Sequence, residues 1–407
     1  MRVSLPRFLT MTMTGGLLLT GLAFGQDWPN WRGPNHDGIS LESGFQTRWE
    51  APPKQLWQAR IGSAFSAVSC VEGRAYTCGT QDAQQVLFCL DADTGQIIWR
   101  SAFEEEYRER QGGDGTRGTP TVYAGHIYLQ SARGRLICFD AQTGREVWSR
   151  QFNAMPKWGY SGSVLIEGDL AIVIGGDDAG VLVAVNKRTG ETAWQHGATP
   201  VGYSTPLPFT FADRRYIAAL LGKSAVIVEA LTGREVWSMP WETSWDVNAA
   251  TPIFHDGHLF FSSGYEHGSA VLKLRPAEDS RLTVEKLWSG QAILAKFQTP
   301  VLHDGHLYTC DQVGLKCVEL ATGQLKWQHG DRRDKQFQNG TVVLAGDTLI
   351  ILTEKGELVL GRATPAGFEP TARATILDGL CWTVPTIYRG RIYARNLERL
   401  VCLELPR

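Results

Sequence analysis

The residues of this chain that could carry chemistry are its cysteines, histidines and carboxylates, and their spacing argues against most such roles. Cys89, Cys138, Cys317 and Cys402 stand in Cys-Leu-Asp, Cys-Phe-Asp, Cys-Val-Glu and Cys-Leu-Glu, a single recurring slot that Ala184 fills in Val183-Ala184-Val185-Asn186. A slot shared by Cys and Ala is a small apolar core position, which a free thiol suits. No Cys-x-x-Cys or Cys-x-x-Cys-His occurs, so zinc and haem readings lack support. Cys78 and Cys310 share a second slot, Tyr-Thr-Cys. In the tighter of the two hairpins Cys310 and Cys317 can face each other, and in an oxidising compartment they are the candidate disulfide. There is no Gly-x-Ser-x-Gly elbow and no His-Glu-x-x-His. His126, His258 and His306 each follow a Gly in what reads as a tight turn; a turn role explains them, with a metal site as the other reading. The non-repeat acids, among them Glu104, Glu105, Glu106, Glu109, Asp114, Glu242, Asp246, Asp331, Asp334 and Asp378, offer no converging set of the six or more oxygens that calcium gathers.

Aromatic and amide residues are more telling. Trp158, Trp241, Trp245 and Trp382 fall outside any repeat, as do Arg117, Tyr160, Tyr203, Asn248, Lys296, Gln298 and Gln338. Together with the charged, Gly-rich stretch from Glu104 to Arg117, they have the composition of a binding surface if the fold gathers them.

The repeat says that it does. Leu136-Ile137-Cys138-Phe139-Asp140-Ala141-Gln142-Thr143-Gly144-Arg145-Glu146-Val147-Trp148 reads as a strand, a Thr-Gly turn and a second strand carrying Trp. Copies run from Leu90 to Trp99, Val185 to Trp194, Val228 to Trp237 and Val318 to Trp327. Trp57 and Trp288 mark two further outer strands, and a weaker mark is expected at Ile376 or Leu377. Successive Trp marks are 39 (327−288) to 51 (288−237) residues apart, the length of a four-stranded propeller blade. Inner strands open near Ala67, Thr119, Gly162, Thr205, Thr251, Thr299, Gly340 and Val384. The last set has no outer strand after it, whereas Gln55-Leu56-Trp57 is an outer strand with no blade before it. Joined, the two complete a ring. The expectation is an all-β, eight-bladed β-propeller of four-stranded antiparallel blades over 54–407, closed by the N-terminal outer strand. A seven-bladed ring with one irregular extra sheet is the alternative. In such a ring the loops from outer to next inner strand meet at one mouth of the central channel. Two readings of the residues there stay open: packing that plugs the channel, or recognition of a ligand or protein segment.

A net charge of −2, from 40 basic and 42 acidic residues, gives no field favouring nucleic acid or anionic lipid. Arg2 and Arg7 precede an apolar run from Gly15 to Phe24, in which Ala23-Phe24-Gly25 supplies small residues at the −3 and −1 positions of a cleavage site, the pattern of a signal peptide over 1–25. The run is too short for a membrane anchor, and no Cys is present there for lipid attachment. The mature protein is expected to be a periplasmic or secreted monomer with no transmembrane segment. Residues 26–53, with Trp28-Pro29-Asn30-Trp31-Arg32-Gly33-Pro34, read as an arm whose tryptophans pack on the ring, Trp31 and Arg32 having a ligand role as the alternative.

The repeat Leu/Phe-Asp-Ala-x-Thr-Gly-x-x-x-Trp resembles that of propellers related to pyrroloquinoline-quinone (PQQ) enzymes. The opening Asp-Trp-Pro-x-Trp-Arg-Gly-Pro is similar to the start of secreted PQQ-like repeat proteins. This family includes BamB-type outer-membrane assembly factors and quinoprotein alcohol dehydrogenases, so the resemblance implies the fold and leaves the activity open. Members that hold PQQ use adjacent disulfide-bonded cysteines, a Trp platform and a calcium site. The chain has no Cys-Cys pair, and no cofactor is expected. The reading that follows is a non-catalytic extracytoplasmic scaffold binding an envelope protein or small ligand at the channel mouth. The alternatives are a PQQ- and calcium-dependent or other redox enzyme, and a hydrolase or lyase, for which no acid/base pair is identifiable.

Overall fold

A computed structural model describes residues 26–277 and 282–406; the signal-peptide segment 1–25 lies outside the described residues. The strands form eight sheets, in chain order blades 1 (69–105), 2 (121–151), 3 (165–196), 4 (207–240), 5 (253–290), 6 (301–329), 7 (341–375) and 8 (386–404). Blade 8 holds three strands of its own, and the strand Gln55–Arg60 pairs antiparallel with Arg399–Glu404 to complete it. The ring is the expected eight-bladed propeller, closed as expected.

The repeat slot explains the packing. In four blades Tyr, Cys and Trp stand side by side on strands two, three and four: Tyr76–Cys89–Trp99, Tyr128–Cys138–Trp148, Tyr308–Cys317–Trp327 and Tyr393–Cys402–Trp57. Blade 4 places Ala218 against Ile227, and blade 3 places Ile172 against Ala184. A large ring on one strand is thus matched by a small side chain on the next, as close packing at fixed sheet spacing requires. Each of the five Thr-Gly glycines lies under the Trp of the preceding blade, so a methyl group added at Gly95, Gly144, Gly190, Gly233 or Gly323 would come within 2.5–2.7 Å of that ring. Trp57, Trp148, Trp194 and Trp288 donate their indole N–H to carbonyls of the next blade, those of Ala92, Lys187, Ala230 and Leu320. The Asp140 carboxylate accepts from the Thr143 N–H and hydroxyl at 2.8 and 2.6 Å. The repeat motif is therefore a blade-to-blade fastener.

Two expectations fail on register. In blade 7 the position equivalent to the Trp is Ala372, paired with Leu360 just before the bulge; Ile376 and Leu377 follow the outer strand Pro370–Thr375. Phe368, in the turn before that strand, packs on the other side of the blade, its ring 5.8 Å from Trp327 of blade 6. The Cys310–Cys317 disulfide does not form: all eight cysteines are free and buried. Cys310 pairs with Leu315 and Cys317 with Tyr308, so the two thiols are diagonal neighbours, whose separation of about 7 Å exceeds the Cβ span of a disulfide. The His turn reading holds, with the His126 and His306 ring nitrogens 3.0 and 2.7 Å from the carbonyl oxygens of Ala124 and Asp304.

The arm does more than pack on the ring. Trp28 is buried and bridges Cys70 of blade 1 through two backbone hydrogen bonds. The Pro29 carbonyl accepts from Val122 of blade 2. The buried Arg32 guanidinium donates to the Thr299 and Pro300 carbonyls beside blade 6, both at 2.6 Å. Ile39–Ser40 then pairs parallel with Leu344–Ala345, a fifth, innermost strand on blade 7. Thirteen residues thus cross the ring from blade 1 to blade 7 (from Trp28 to Ser40) on the channel side.

Candidate functional site

The loops from outer to inner strands enclose one cavity of about 280 Å³ at the channel mouth. Seven of these eight junctions line it, with Phe65, Arg117, Trp158, Tyr203, Val247, Lys296 and Trp382 as their largest contributions. The arm supplies Trp31, whose indole N–H donates to Thr251 Oγ1 at 3.2 Å.

Of the residues singled out in the sequence, Arg117, Trp158, Tyr203, Lys296 and Trp382 are brought together on this wall. Arg117 donates to the Gly115 and Gly113 carbonyls and lies 4.9 Å from the Tyr107 ring and 5.7 Å from that of Phe65. Lys296 is half-buried beside the rings of Tyr265, Phe297 and Trp382, at 5.6, 5.8 and 6.0 Å. Its ammonium has no hydrogen bond or ion pair among the described residues, and burial lowers its pKa against the opposing field of Glu354. Trp382 stacks on Phe65 at 5.6 Å and donates to the Glu354 carboxylate at 2.6 Å. Burial pushes the Tyr203 phenol up to about 12.

Trp245 stands at a second, adjoining cavity that shares Tyr203. It is 63% exposed, its backbone is left-handed at φ 68°, and the Lys157 ammonium sits 3.7 Å above its ring. Its edge meets Trp158 at 6.5 Å, so the two cavities are separated by this aromatic ridge. A bulky residue held exposed in that conformation is strained, which is a mark of functional sites.

Tyr160, Asn248, Gln298 and Gln338 are not on the wall. Asn248 is fully buried and donates to the carbonyls of Leu221, Gly222 and Trp241, pinning its own loop. Gln338 donates to the Gln312 carbonyl at 2.7 Å; Tyr160 and Gln298 are buried. Trp241, also buried, donates to Ser263. These side chains are engaged in the packing of their loops and do not line the cavity. Phe65, Tyr265 and Phe297 were not singled out. Phe65 and Phe297 could have been found as aromatics just before an inner strand; Tyr265 lies in a turn within blade 5, where no repeat pattern points to the mouth.

The lining contains one carboxylate, Glu109, and its oxygens already accept the Gln111 and Gly112 backbone N–H groups. No group of three or more His, Cys, Asp or Glu suited to a metal ion occurs among the described residues. The donor set therefore does not fit a calcium-held quinone.

Comparison with known proteins bears on the family. A family model described as outer membrane protein assembly factor BamB matches residues 46–202, 83–329 and 222–365. The chain belongs to this PQQ-like repeat family. No curated protein matches. Among solved structures, BamB from Moraxella catarrhalis is 17% identical, with a TM-score of 0.63 over 87% of this chain and 98% of that one. A europium-containing methanol dehydrogenase is 12% identical, with a TM-score of 0.68 over 92% and 90%. The quinohemoprotein alcohol dehydrogenase from Comamonas testosteroni is 13% identical, with a TM-score of 0.61 over 94% and 81%. At these identities the PQQ-like repeat chain shares the fold with all three. No helix among its described residues is long and apolar enough to cross a membrane.

Proposed function

We propose that this member of the PQQ-like repeat family is a non-catalytic, periplasmic or secreted scaffold that holds a protein segment or small ligand at the channel mouth. Envelope or outer-membrane protein assembly is its setting in this reading. The observation that carries it is the aromatic cavity with two cationic side chains, built by seven junctions and floored by Trp31. Rigid blades fix its walls, so little ordering is left to oppose binding. The test is capture from an envelope extract by the mature chain and by a Trp245→Ala, Trp382→Ala variant. Loss of capture with a thermal midpoint within about 1 °C of the parent, the shift that about 1 kcal/mol gives in a chain of this size, supports the reading; undiminished capture refutes it. A quinoprotein reading predicts a new absorbance band when PQQ and calcium are added, together with dehydrogenase activity; the scaffold reading predicts neither.

A further inference from the structure

Arg117 and Lys296 come from the junctions between blades 1 and 2 and between blades 5 and 6, four blades apart in a ring of eight. They therefore lie across the mouth from each other. Tyr203, between blades 3 and 4, and Trp382, between blades 7 and 8, occupy the crossed diameter. A ligand filling this space meets a guanidinium at one end, an amine at the other and aromatic faces between. The two cations differ in what they can do. Arg117 is already fixed by two carbonyls and two rings, and a guanidinium stays charged, so it can anchor an anion but not react. Lys296 lies among rings with no hydrogen bond or ion pair among the described residues, the nearby Glu354 carboxylate accepting instead from Trp382 and Asn339. A lysine desolvated among apolar groups is a setting in which amines become nucleophiles.

We propose that Lys296 captures aromatic carbonyl compounds bearing a carboxylate, forming an imine while Arg117 holds the carboxylate. The Lys296 ammonium first gives up a proton to solvent. Its Nζ then bonds to the carbonyl carbon, and the carbonyl oxygen takes up a proton. A second proton transfer from nitrogen lets that oxygen leave as water, so amine and carbonyl yield imine and one water with no oxidant or reductant. The lowered pKa of Lys296 supports this, because more of the free amine is present near neutral pH. The inference rests on the channel mouth being a binding site and narrows what it binds.

The test uses the mature chain with 4-formylbenzoate and cyanoborohydride, which reduces an imine to a stable amine, followed by peptide mass mapping. The exposed Lys54, Lys335 and Lys355 serve as internal references. Expected is labelling at Lys296 severalfold faster than at the references, in the direction set by its lowered pKa and unpaired ammonium. An Arg117→Met variant should slow that phase with the carboxylated probe but not with benzaldehyde. Lys296→Arg should remove it while leaving the melting curve in place. Labelling that merely follows exposure, or a fast phase that survives Lys296→Arg, overturns the proposal. If either occurs while the Trp245, Trp382 variant still loses its partner, the scaffold reading stands and only this chemistry falls.

Discussion

At the scale of single residues, the Thr-Gly turn shows how one atom decides a contact. Gly144 has φ +70° and lies against Trp99, whereas Gly346, at φ +59°, has nothing within 4 Å of an added methyl. Gly144→Ala should therefore cost about 2–4 kcal/mol, combining overpacking with left-handed strain, while Gly346→Ala should cost about 1–2 kcal/mol from the backbone alone. Urea unfolding of the two variants checks the difference. Hydrogen bonds from Thr143 hold the Asp140 carboxyl below its ordinary pKa. A depressed acid contributes stability above its unfolded pKa, and this is lost as pH falls through the folded value. Asp140→Ala should thus lower the melting temperature at pH 7, and its gap to the parent should close as pH drops below about 4. Burial pushes the Cys89 and Cys317 thiols up to about 11 and those of Cys138 and Cys402 up to about 12. A thiol reagent at pH 8 should find no reactive cysteine in the native protein and all eight after unfolding. A disulfide at Cys310 would leave fewer.

At the scale of elements, the closing seam depends on more than strand pairing. The buried guanidinium of Arg395, in blade 8, donates to the carbonyls of Cys78, Ser66 and Gly62 on the blade 1 side at 2.6, 3.2 and 3.2 Å. Arg395→Met removes all of these buried donations and should destabilise by about 3–5 kcal/mol, read by chemical denaturation. Strands and turns were legible because their signals are local: alternation, Thr-Gly and the Trp mark. The blade 7 outer strand was misplaced because Ala372, at the position that elsewhere holds Trp, carries no mark. The pairing of Cys310 with Leu315 rather than Cys317 depends on a turn length that spacing alone did not fix. At the mouth, position before an inner strand identified Arg117, Trp158, Tyr203, Lys296 and Trp382, but it could not tell them from Asn248 and Gln338, whose side chains turn back to satisfy loop carbonyls. That distinction depends on three-dimensional hydrogen bonding, which a pattern along the chain does not carry.

At the scale of the whole molecule, the ring was readable because repetition multiplies a weak signal, and the route of the arm across it was not because it occurs once. Its crossing from Cys70 to Leu344 has a consequence in time. The strand Gln55–Arg60 and the arm's strand Ile39–Ser40 find their partners only on the last blades, up to Glu404. A ribosome adds about 5–20 residues per second, so these N-terminal segments wait on the order of a minute or less for the C-terminal ones to exist. Earlier blades can form meanwhile, each pinned by its neighbour's Trp, but the arm has no complete channel to lie in. Maturation of this protein is therefore not vectorial: Ile39–Ser40 and Gln55–Arg60, made early, are among the last strands to be placed, and a chain lacking its final blade leaves Gln55–Arg60 unpaired.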